Sequence, residues 1–206
     1  GPAGLAAAQQ LIRCGHLVTV FERDDYIGGL LRLGIPDFKL DKHIVQRRID
    51  QMAAEGVVFK TGVNIGVNYS SKELLDEFDA VCLAGGCTTA RDLPIPGREL
   101  EGVHFAMEYL TQQNKVIAGE EIDPAERIVA EGKRVVILGG GDTGADCLGT
   151  AHRHGAEVVY QYELLSKPPN ERSPENPWPQ WPSVLRSSAA HEEGGIRDYD
   201  ILTKRF

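Results

Sequence analysis

The sequence predicts an α/β fold made of two Rossmann-like domains, each with a parallel sheet covered by helices on both faces. Segments typical of strands and helices alternate along the 206 residues. A glycine-rich turn opens a helix twice, at residues 1–4 and at residues 139–144. Glycine is also abundant, with 23 residues, so tight backbone turns recur. Alternation of this kind is typical of parallel sheets joined by helical crossovers.

Length and charge limit the classes of function. The chain is long enough for one large domain or two small ones with a sizeable core. Its 22 basic and 30 acidic residues give a formal charge of −8, which disfavours nonspecific nucleic-acid binding because phosphates need a basic surface. No apolar run approaches the roughly 20 residues of a membrane span, and the opening residues do not resemble a secretion leader. We therefore expect a cytoplasmic protein that binds neither nucleic acid nor membrane.

In the first half of the chain, local signals predict both helices and strands. Asp41 is placed to cap a helix, and Ser70 with Glu73 is placed to form a capping box. The apolar positions expected on one face of the Asp41 helix are Ile44, Val45, Ile49, Met52 and Ala53. The expected elements are helix Leu5–Cys14, strand Leu17–Phe21, a helix after Asp41, strand Val57–Lys60, a short helix ending at Phe78 and buried strand Ala80–Ala84.

The second half is predicted to repeat the pattern after a domain crossing at Arg91–Gly97. The prolines in that crossing lack amide donors, so the segment cannot be regular structure. The expected elements are helices His104–Gln113 and Pro124–Glu131, strand Arg134–Leu138, helix Thr143–His154, strand Glu157–Tyr162 and a final strand over Asp200–Phe206. Both ends of the sequence look truncated. A glycine turn such as residues 1–4 normally follows a buried strand, and the final predicted strand stops without a turn or tail.

The clearest candidate site is the GxGxxG turn of Gly139, Gly141 and Gly144, which follows one predicted strand and opens a helix. Such a turn needs small residues for the tight bend, for the approach of a diphosphate and for helix–strand packing. Amides at the helix N-terminus then face the anion. The pattern therefore predicts dinucleotide binding, against the alternative of a glycine-rich turn that serves packing alone.

The N-terminal turn matches the last four positions of the same fingerprint. Glu22 ends the strand that follows it, 18 residues beyond Gly4, where a carboxylate can accept both ribose hydroxyls of an adenosine. A surface glutamate at a strand end is the alternative. The segment of residues 28–32 is a second flexible glycine stretch that either lies against a flavin or is a plain loop. The turn itself is formed by Gly1, Pro2, Ala3 and Gly4.

The sequence leaves the preference of the second nucleotide site open. Glu163 ends its second strand, where an acid would favour NAD, whereas Arg172 in the next loop could meet the 2′-phosphate of NADP. That loop, residues 167–182, is rich in proline and carries two tryptophans. It is either a solvent linker or a rigid lid or partner surface.

Cysteine and histidine spacing does not indicate a metal site. The four cysteines include no CxxC pair, and we expect Cys14, Cys82 and Cys147 to be small buried thiols. His152 and His154 are two apart on a predicted helix and so do not share a face. His191 is expected to be a polar loop residue.

Five stretches together resemble the small (beta) subunit of bacterial glutamate synthase. They begin at residues 1, 28, 90, 135 and 176, and read GPAGLAAA, GGLLRLGIPDFKLDK, ARDLPIPGRELEGVHFAMEYLTQQNK, VVILGGGDTGADC and NPWPQWPSVLRSSAAHEEGG. The last is the most specific, because related flavoprotein modules share the glycine turns but not this loop.

The resemblance implies an FAD domain interrupted by an NADPH domain, in the manner of adrenodoxin-reductase-like proteins. It divides the chain into a partial FAD-binding domain at residues 1–97 and a partial NAD(P)-binding domain with linker helices at residues 98–206. NADPH would reduce FAD, and electrons would pass through iron–sulfur clusters, which this chain does not ligate, to the FMN of the large (alpha) subunit. There glutamate would form from glutamine and 2-oxoglutarate.

Carried over residue by residue, the resemblance assigns binding roles but no catalytic side chain, because hydride transfer needs none beyond ring stacking. The positions expected at FAD are Gly1, Pro2, Ala3, Gly4, Glu22, Gly29, Leu30, Arg32 and Gly86. The positions expected at NADP(H) are Gly139, Gly141, Asp142, Thr143, Gly144 and, as above, Arg172. Two alternatives are a related NAD(P)H-dependent module that feeds another reductase and a partner-binding module without redox function.

Overall fold

Helices and strands alternate along most of a computed structural model that describes residues 1–206, and the strands of both its sheets pair in parallel. The predicted α/β class with parallel sheets is therefore confirmed. The chain divides into two units, residues 1–90 and residues 91–206. The assignment of one nucleotide to residues 1–97 and another to residues 98–206 stays a prediction. No helix in the structure is both long enough and apolar enough to cross a membrane.

Unit 1 contains a two-stranded sheet in which β1 pairs with β2, with Thr19 opposite Val58. Both predicted helix caps are present: the Asp41 carboxylate accepts from the His43 amide at 2.8 Å, and Ser70 and Glu73 bond each other's amides at 3.0 Å. The elements are α1 (Pro2–Arg13), β1 (Thr19–Phe21), α2 (Leu30–Leu33), α3 (Lys42–Ala54), β2 (Val58–Lys60) and α4 (Ser71–Glu77).

The core of unit 1 forms under the inner face of α3. Val45, Ile49 and Met52 are spaced by four and three residues, so they point the same way and are buried. They pack with Ala8 of α1 and neighbouring apolar side chains, and full burial of one such side chain stabilises by about 1.5–3 kcal/mol. Two other positions expected on that face, Ile44 and Ala53, are exposed because they lie at its edges.

Unit 2 contains a three-stranded sheet in the order β3-β4-β5, with Arg134 opposite Val158 and Tyr160 opposite Ile196. Leu148 of α6 and Val159 of β4 are almost completely buried, so α6 packs on this sheet. The elements are α5 (Ala106–Ile117), β3 (Arg134–Leu138), α6 (Asp142–Arg153), β4 (Val158–Tyr162), α7 (Ala189–Glu192) and β5 (Ile196–Asp198).

Two predicted elements, one strand and one helix, are absent because their main chains do not form the hydrogen bonds that such elements need. Ala80–Ala84 is not a strand, because the sheet of unit 1 holds only β1 and β2 and offers it no ladder; Leu83 is 91 % exposed. Pro124–Glu131 forms a turn at residues 124–126 followed by irregular backbone instead of a helix. There the Gln112 side chain binds the main chain, accepting from the Ile128 amide at 2.6 Å and donating to the Glu126 carbonyl at 2.8 Å.

The expected final strand over Asp200–Phe206 is also wrong. The strand that pairs with β4 is β5, which ends at Asp198. Asp200 has φ +59 and so interrupts extended backbone directly after it. The last residue returns toward the start of unit 2, where the Phe206 amide donates to the Pro96 carbonyl at 2.9 Å.

The cysteines divide into two groups. Cys147 is buried as predicted, and burial, with the neighbouring Asp146 charge, raises the pKa of its thiol to about 12. Cys14 and Cys82 are exposed, so the prediction of burial is wrong for both. Cys14 follows the last turn of α1, and Cys82 lies in the exposed segment that forms no strand.

Candidate functional site

The first glycine turn leads directly into α1. Gly1 is the N-cap and Pro2 the first helical residue, where the missing amide of proline costs nothing. The Leu5 amide closes the first helical turn by donating to the Gly1 carbonyl at 3.1 Å. The amides of Ala3 and Gly4 precede that bond, in the part of a helix where amides lack intrahelical partners. Such a helix end favours an anion.

The structure brings Gly29 and Glu22 to this same turn. A Cβ on Gly29 would lie only 2.8 Å from the Gly1 Cα, and Gly29 has φ +53, so both space and conformation require glycine there. A Glu22 Oε2 lies 3.5 Å from the Gly1 nitrogen, and its Oε1 accepts from the Asp24 amide at 3.3 Å. The half-buried carboxylate at the end of β1 therefore stands beside the turn.

The other unit 1 positions lie around this centre with less direct contact. A Cβ on Gly4 would lie 3.4 Å from the Ala84 side chain, so the segment that leads to Gly86 passes along α1. Gly86 itself has φ +69 and open space where a side chain would be. Leu30 is exposed. Arg32 donates to Gln46 at 3.4 Å and lies over the Tyr26 ring, so its guanidinium is held within unit 1.

The second glycine turn connects β3 to α6. Gly139 continues the strand pairing, since its amide donates to the Tyr162 carbonyl at 2.8 Å, and it then turns with φ +120. A side chain at Gly139 or Gly141 would meet nothing within 4 Å. Gly141 is the N-cap of α6, and the exposed Asp142 and Thr143 begin the helix. The outer face of the turn is therefore bare, as the approach of a diphosphate requires.

Gly144 faces the opposite way, into the protein. A Cβ there would lie 2.3 Å from the Gly139 carbonyl oxygen and 2.5 Å from Gln161 Nε2. The third glycine of the fingerprint thus allows α6 to pack tightly against the turn and the end of β4. The five positions predicted in this turn consequently lie together, four on the open side and Gly144 against the strands.

The sequence does not predict the role of two residues that hold this turn. The sequence indicates Glu163 only as a candidate ribose ligand, but its Oε2 accepts from the Gly140 amide at 2.7 Å and its Oε1 from the Leu165 amide at 3.0 Å. These amide bonds lower the pKa of the Glu163 carboxyl, the Leu165 bond most. Gln161, 2 % exposed, donates to the Gly139 carbonyl at 2.8 Å. A polar pair spaced by two at the end of a strand was the available signal, because such residues share a face.

Arg172 is engaged inside the proline- and tryptophan-rich loop. Its Nη1 donates to the carbonyls of Asn176 and Gln180, both at 3.0 Å. Asn176 adds three side-chain bonds within residues 176–183, and Trp178 and Trp181 are 83 % and 75 % exposed. The loop is internally braced and displays both rings. A contact of Arg172 with a 2′-phosphate stays a prediction.

Two histidines are bound by polar neighbours rather than grouped for a metal. His154 lies 2.9 Å from the Tyr109 hydroxyl through Nδ1 and 2.8 Å from Gln113 Oε1 through Nε2. Burial, and then the Arg127 charge, lowers the pKa of His154. His191 is half-buried in α7 and bonded to Gln161, so the expectation of a polar loop residue is wrong. The structure contains no group of three or more potential metal ligands.

Comparison with known proteins places the chain among nucleotide-dependent oxidoreductases. Residues 1–170 match the family described as pyridine nucleotide-disulphide oxidoreductase. The whole chain aligns with the glutamate synthase [NADPH] small chain of Mycobacterium tuberculosis H37Rv at 59 % identity, and the alignment covers 43 % of that protein. It is 46 % identical to 43 % of the Bacillus subtilis small chain, and 51 % identical to 10 % of the glutamate synthase [NADH] of Schizosaccharomyces pombe. These matches confirm the resemblance noted above. The chain spans less than half of the length of these relatives.

Solved structures share the fold at much lower identity. Mycobacterium tuberculosis FprA in complex with NADPH aligns with a TM-score of 0.67 at 20 % identity, covering 81 % of this chain and 42 % of FprA. A second FprA structure aligns with a TM-score of 0.66 at 22 % identity. At this identity the similarity shows the fold alone.

Proposed function

This chain belongs to the pyridine nucleotide-disulphide oxidoreductase family, and on that premise we propose that it binds FAD through unit 1 and NADP(H) through unit 2 as the electron-input part of a glutamate synthase. One observation carries the proposal. Two glycine turns each begin a helix in a single chain that is 59 % identical to a glutamate synthase [NADPH] small chain. In that role NADPH would deliver hydride to the flavin, which would release electrons one at a time.

The residues at the first turn fit an adenine dinucleotide. The amides of Ala3 and Gly4 sit at the start of α1, where the helix favours a diphosphate. The half-buried Glu22 carboxylate beside the turn supplies acceptors for ribose hydroxyls. Gly29 packs on Gly1 without a side chain, which leaves Leu30 and Arg32 at the start of the neighbouring helix. We assign this group, with Pro2 and Gly86, to FAD.

The residues at the second turn fit a second diphosphate, and the chemistry of Glu163 favours NADP(H) over NAD(H). Open space over Gly139 and Gly141 admits the phosphates, and α6 offers the amides of Asp142, Thr143 and Gly144. Glu163 uses both carboxylate oxygens on main-chain amides, so it is committed to the turn rather than to a ribose. Arg172 remains our candidate for the 2′-phosphate.

The proposed partner is the large subunit of glutamate synthase, which would receive the electrons through iron–sulfur clusters held outside this chain. Glutamine and 2-oxoglutarate would be the substrates of the assembled enzyme, and the cytoplasm its compartment. A module that feeds a different reductase has the same nucleotide turns. The stretch at residues 176–195 lies within the match to the small chains, which covers the whole of this chain, and it favours glutamate synthase.

Nucleotide binding is tested by calorimetric titration of the full chain with FAD, NADP⁺ and NAD⁺ separately. We expect binding of FAD and NADP⁺, with NAD⁺ weaker. Gly141→Ala places a methyl group in the open space where the diphosphate would approach. It should weaken NADP⁺ binding about tenfold or more and leave FAD binding unchanged. Lys133→Ala, an exposed change at the other end of β3, is the matched control. A chain that binds neither nucleotide refutes the proposal.

The reaction is tested in the assembled enzyme. With the large subunit present, NADPH oxidation should depend on glutamine and 2-oxoglutarate, and anaerobic NADPH should bleach the flavin absorbance. Retention of the large subunit with no nucleotide-dependent bleaching would instead support a partner-binding module. Bleaching without any dependence on glutamine would support a module that serves another reductase.

A further inference from the structure

One peptide group in the second glycine turn is bonded at both ends by neighbouring side chains of the same strand. Gln161 Nε2 donates to the Gly139 carbonyl at 2.8 Å, and Glu163 Oε2 accepts from the Gly140 amide at 2.7 Å. That carbonyl and that amide belong to the single peptide bond between the two glycines. Positions two apart along a strand face the same side. Side chains at the end of β4 therefore bond both the carbonyl and the amide of this peptide.

The orientation of the Gln161 amide is itself determined by α7. Gln161 Oε1 lies 2.9 Å from His191 Nε2, and His191 Nδ1 lies 3.1 Å from the Ser188 amide. A main-chain amide can only donate, so His191 Nδ1 accepts and its Nε2 carries the proton. The Nε2 proton is then donated to Gln161 Oε1, which leaves the Gln161 NH₂ group for the Gly139 carbonyl. The Ser188 amide at one end of this chain of bonds can only donate, and the Gly139 carbonyl at the other end can only accept. Together they fix the direction of the hydrogen bond between His191 and Gln161.

We propose that Gln161, Glu163 and His191 are positioning residues that hold the Gly139–Gly140 peptide in one orientation for NADP(H) binding. The inference rests on the proposed function of this turn. A glycine pair without side chains can rotate its peptide plane easily, and rotation would redirect the amides that follow it toward α6. With both the carbonyl and the amide of this peptide bonded, the turn is preorganised, and less conformational entropy is lost when the nucleotide binds. We call these three side chains the peptide clamp.

Gln161 is the buried member of the peptide clamp, whereas Glu163 and His191 are half-buried. Gln161 is 2 % exposed and lies directly under Gly144, which has no side chain to block it. A buried Gln161 amide that loses a partner keeps its desolvation penalty, because water cannot replace the bond. The clamp also links the turn to α7, which follows the tryptophan loop in the chain. Residues 30 positions apart in sequence thus control one peptide plane.

The test uses the full chain and NADP⁺ as the probe, with dissociation constants measured by calorimetry. Gln161→Met keeps side-chain length but removes both hydrogen bonds, and His191→Leu removes the donor to Gln161. Each variant should raise the dissociation constant for NADP⁺ about tenfold, equivalent to about 1.4 kcal/mol. His191→Gln restores a donor at the Nε2 position and should recover affinity to within about threefold of wild type. His104→Leu, an exposed histidine in the same unit, should change nothing.

The outcomes separate the clamp from the proposed function. If the wild-type chain does not bind NADP⁺, the proposed function fails. If wild type binds and Gln161→Met and His191→Leu bind equally well, the clamp is overturned. Should Gln161→Met fail to fold, the pair His191→Leu and His191→Gln decides, because a purely steric role would not be rescued by glutamine. Nitrogen NMR of the His191 ring must show the proton on Nε2; a proton on Nδ1 overturns the relay.

Discussion

Replacing Gly144 by alanine tests the tight packing between α6 and the second glycine turn. The added methyl carbon would lie 2.3 Å from the Gly139 carbonyl oxygen and 2.5 Å from Gln161 Nε2. The first of these atoms belongs to the main chain and cannot rotate away. The turn or the first turn of α6 must therefore move, and the hydrogen bond from Gln161 to Gly139 is disrupted.

Three contributions set the expected magnitude. Overpacking a tight site costs about 1–3 kcal/mol, and loss of one part-buried hydrogen bond adds about 1 kcal/mol. Alanine recovers up to about 1 kcal/mol through its better helix propensity, since position 144 is helical. We therefore expect Gly144→Ala to lower the free energy of unfolding by about 1–3 kcal/mol, and to weaken NADP⁺ binding as well.

Gly141→Ala is the matched control within the same turn. Gly141 has φ −81 and no atom within 4 Å of a new Cβ, so Gly141→Ala should lower the free energy of unfolding by no more than about 0.5–1 kcal/mol, the cost of alanine in place of glycine at an N-cap. Urea unfolding followed by far-UV circular dichroism measures both variants. The packing argument is refuted if Gly144→Ala is as stable as wild type, or if both variants lose equal stability.

Three further predictions concern other parts of the chain. Gly29→Ala combines φ +53 with a contact of 2.8 Å to main chain, so it should lose more stability than Gly62→Ala, which has φ +68 but open space; equal losses in urea unfolding would contradict this. Because the pKa of His154 is lowered on folding, the unfolded state takes up the proton first. Its contribution is complete above the ordinary pKa near 6.5 and is lost as pH falls toward the folded pKa. The melting temperature should therefore fall more steeply below pH 7 for wild type than for His154→Gln. Parallel plots of melting temperature against pH would count against the assignment. A thiol reagent should label three cysteines in the native chain and the buried Cys147 only on unfolding; rapid labelling of all four would show that its burial is wrong.

Local signals in the sequence were enough to locate both glycine turns and the helix caps. Asp41 and Ser70 act on amides two and three residues away, so their roles can be predicted from short patterns. Ala80–Ala84 fails because a strand needs a neighbour, and an apolar run does not reveal whether one is present. Pro124–Glu131 fails because the side chain of Gln112, on another element, binds its main chain.

The candidate site shows the same division. The positions of Gly139, Gly141 and Gly144 follow from spacing alone. The peptide clamp depends on His191 meeting Gln161 across 30 residues, and nothing in the local sequence of α7 indicates that meeting. Glu163 was singled out by its place at a strand end. Its actual partner, the Gly140 amide, becomes apparent only when the turn folds back over β4.

The tryptophan loop makes the protein its own optical probe. Trp178 and Trp181 are the only two tryptophans in the chain, and Arg186 stacks over the second ring at 4.1 Å. All indole emission therefore originates from one short segment of unit 2. Its wavelength and quenching by iodide register events at that segment without any label, while the melting of unit 1 is silent in the same channel and must be followed by another signal.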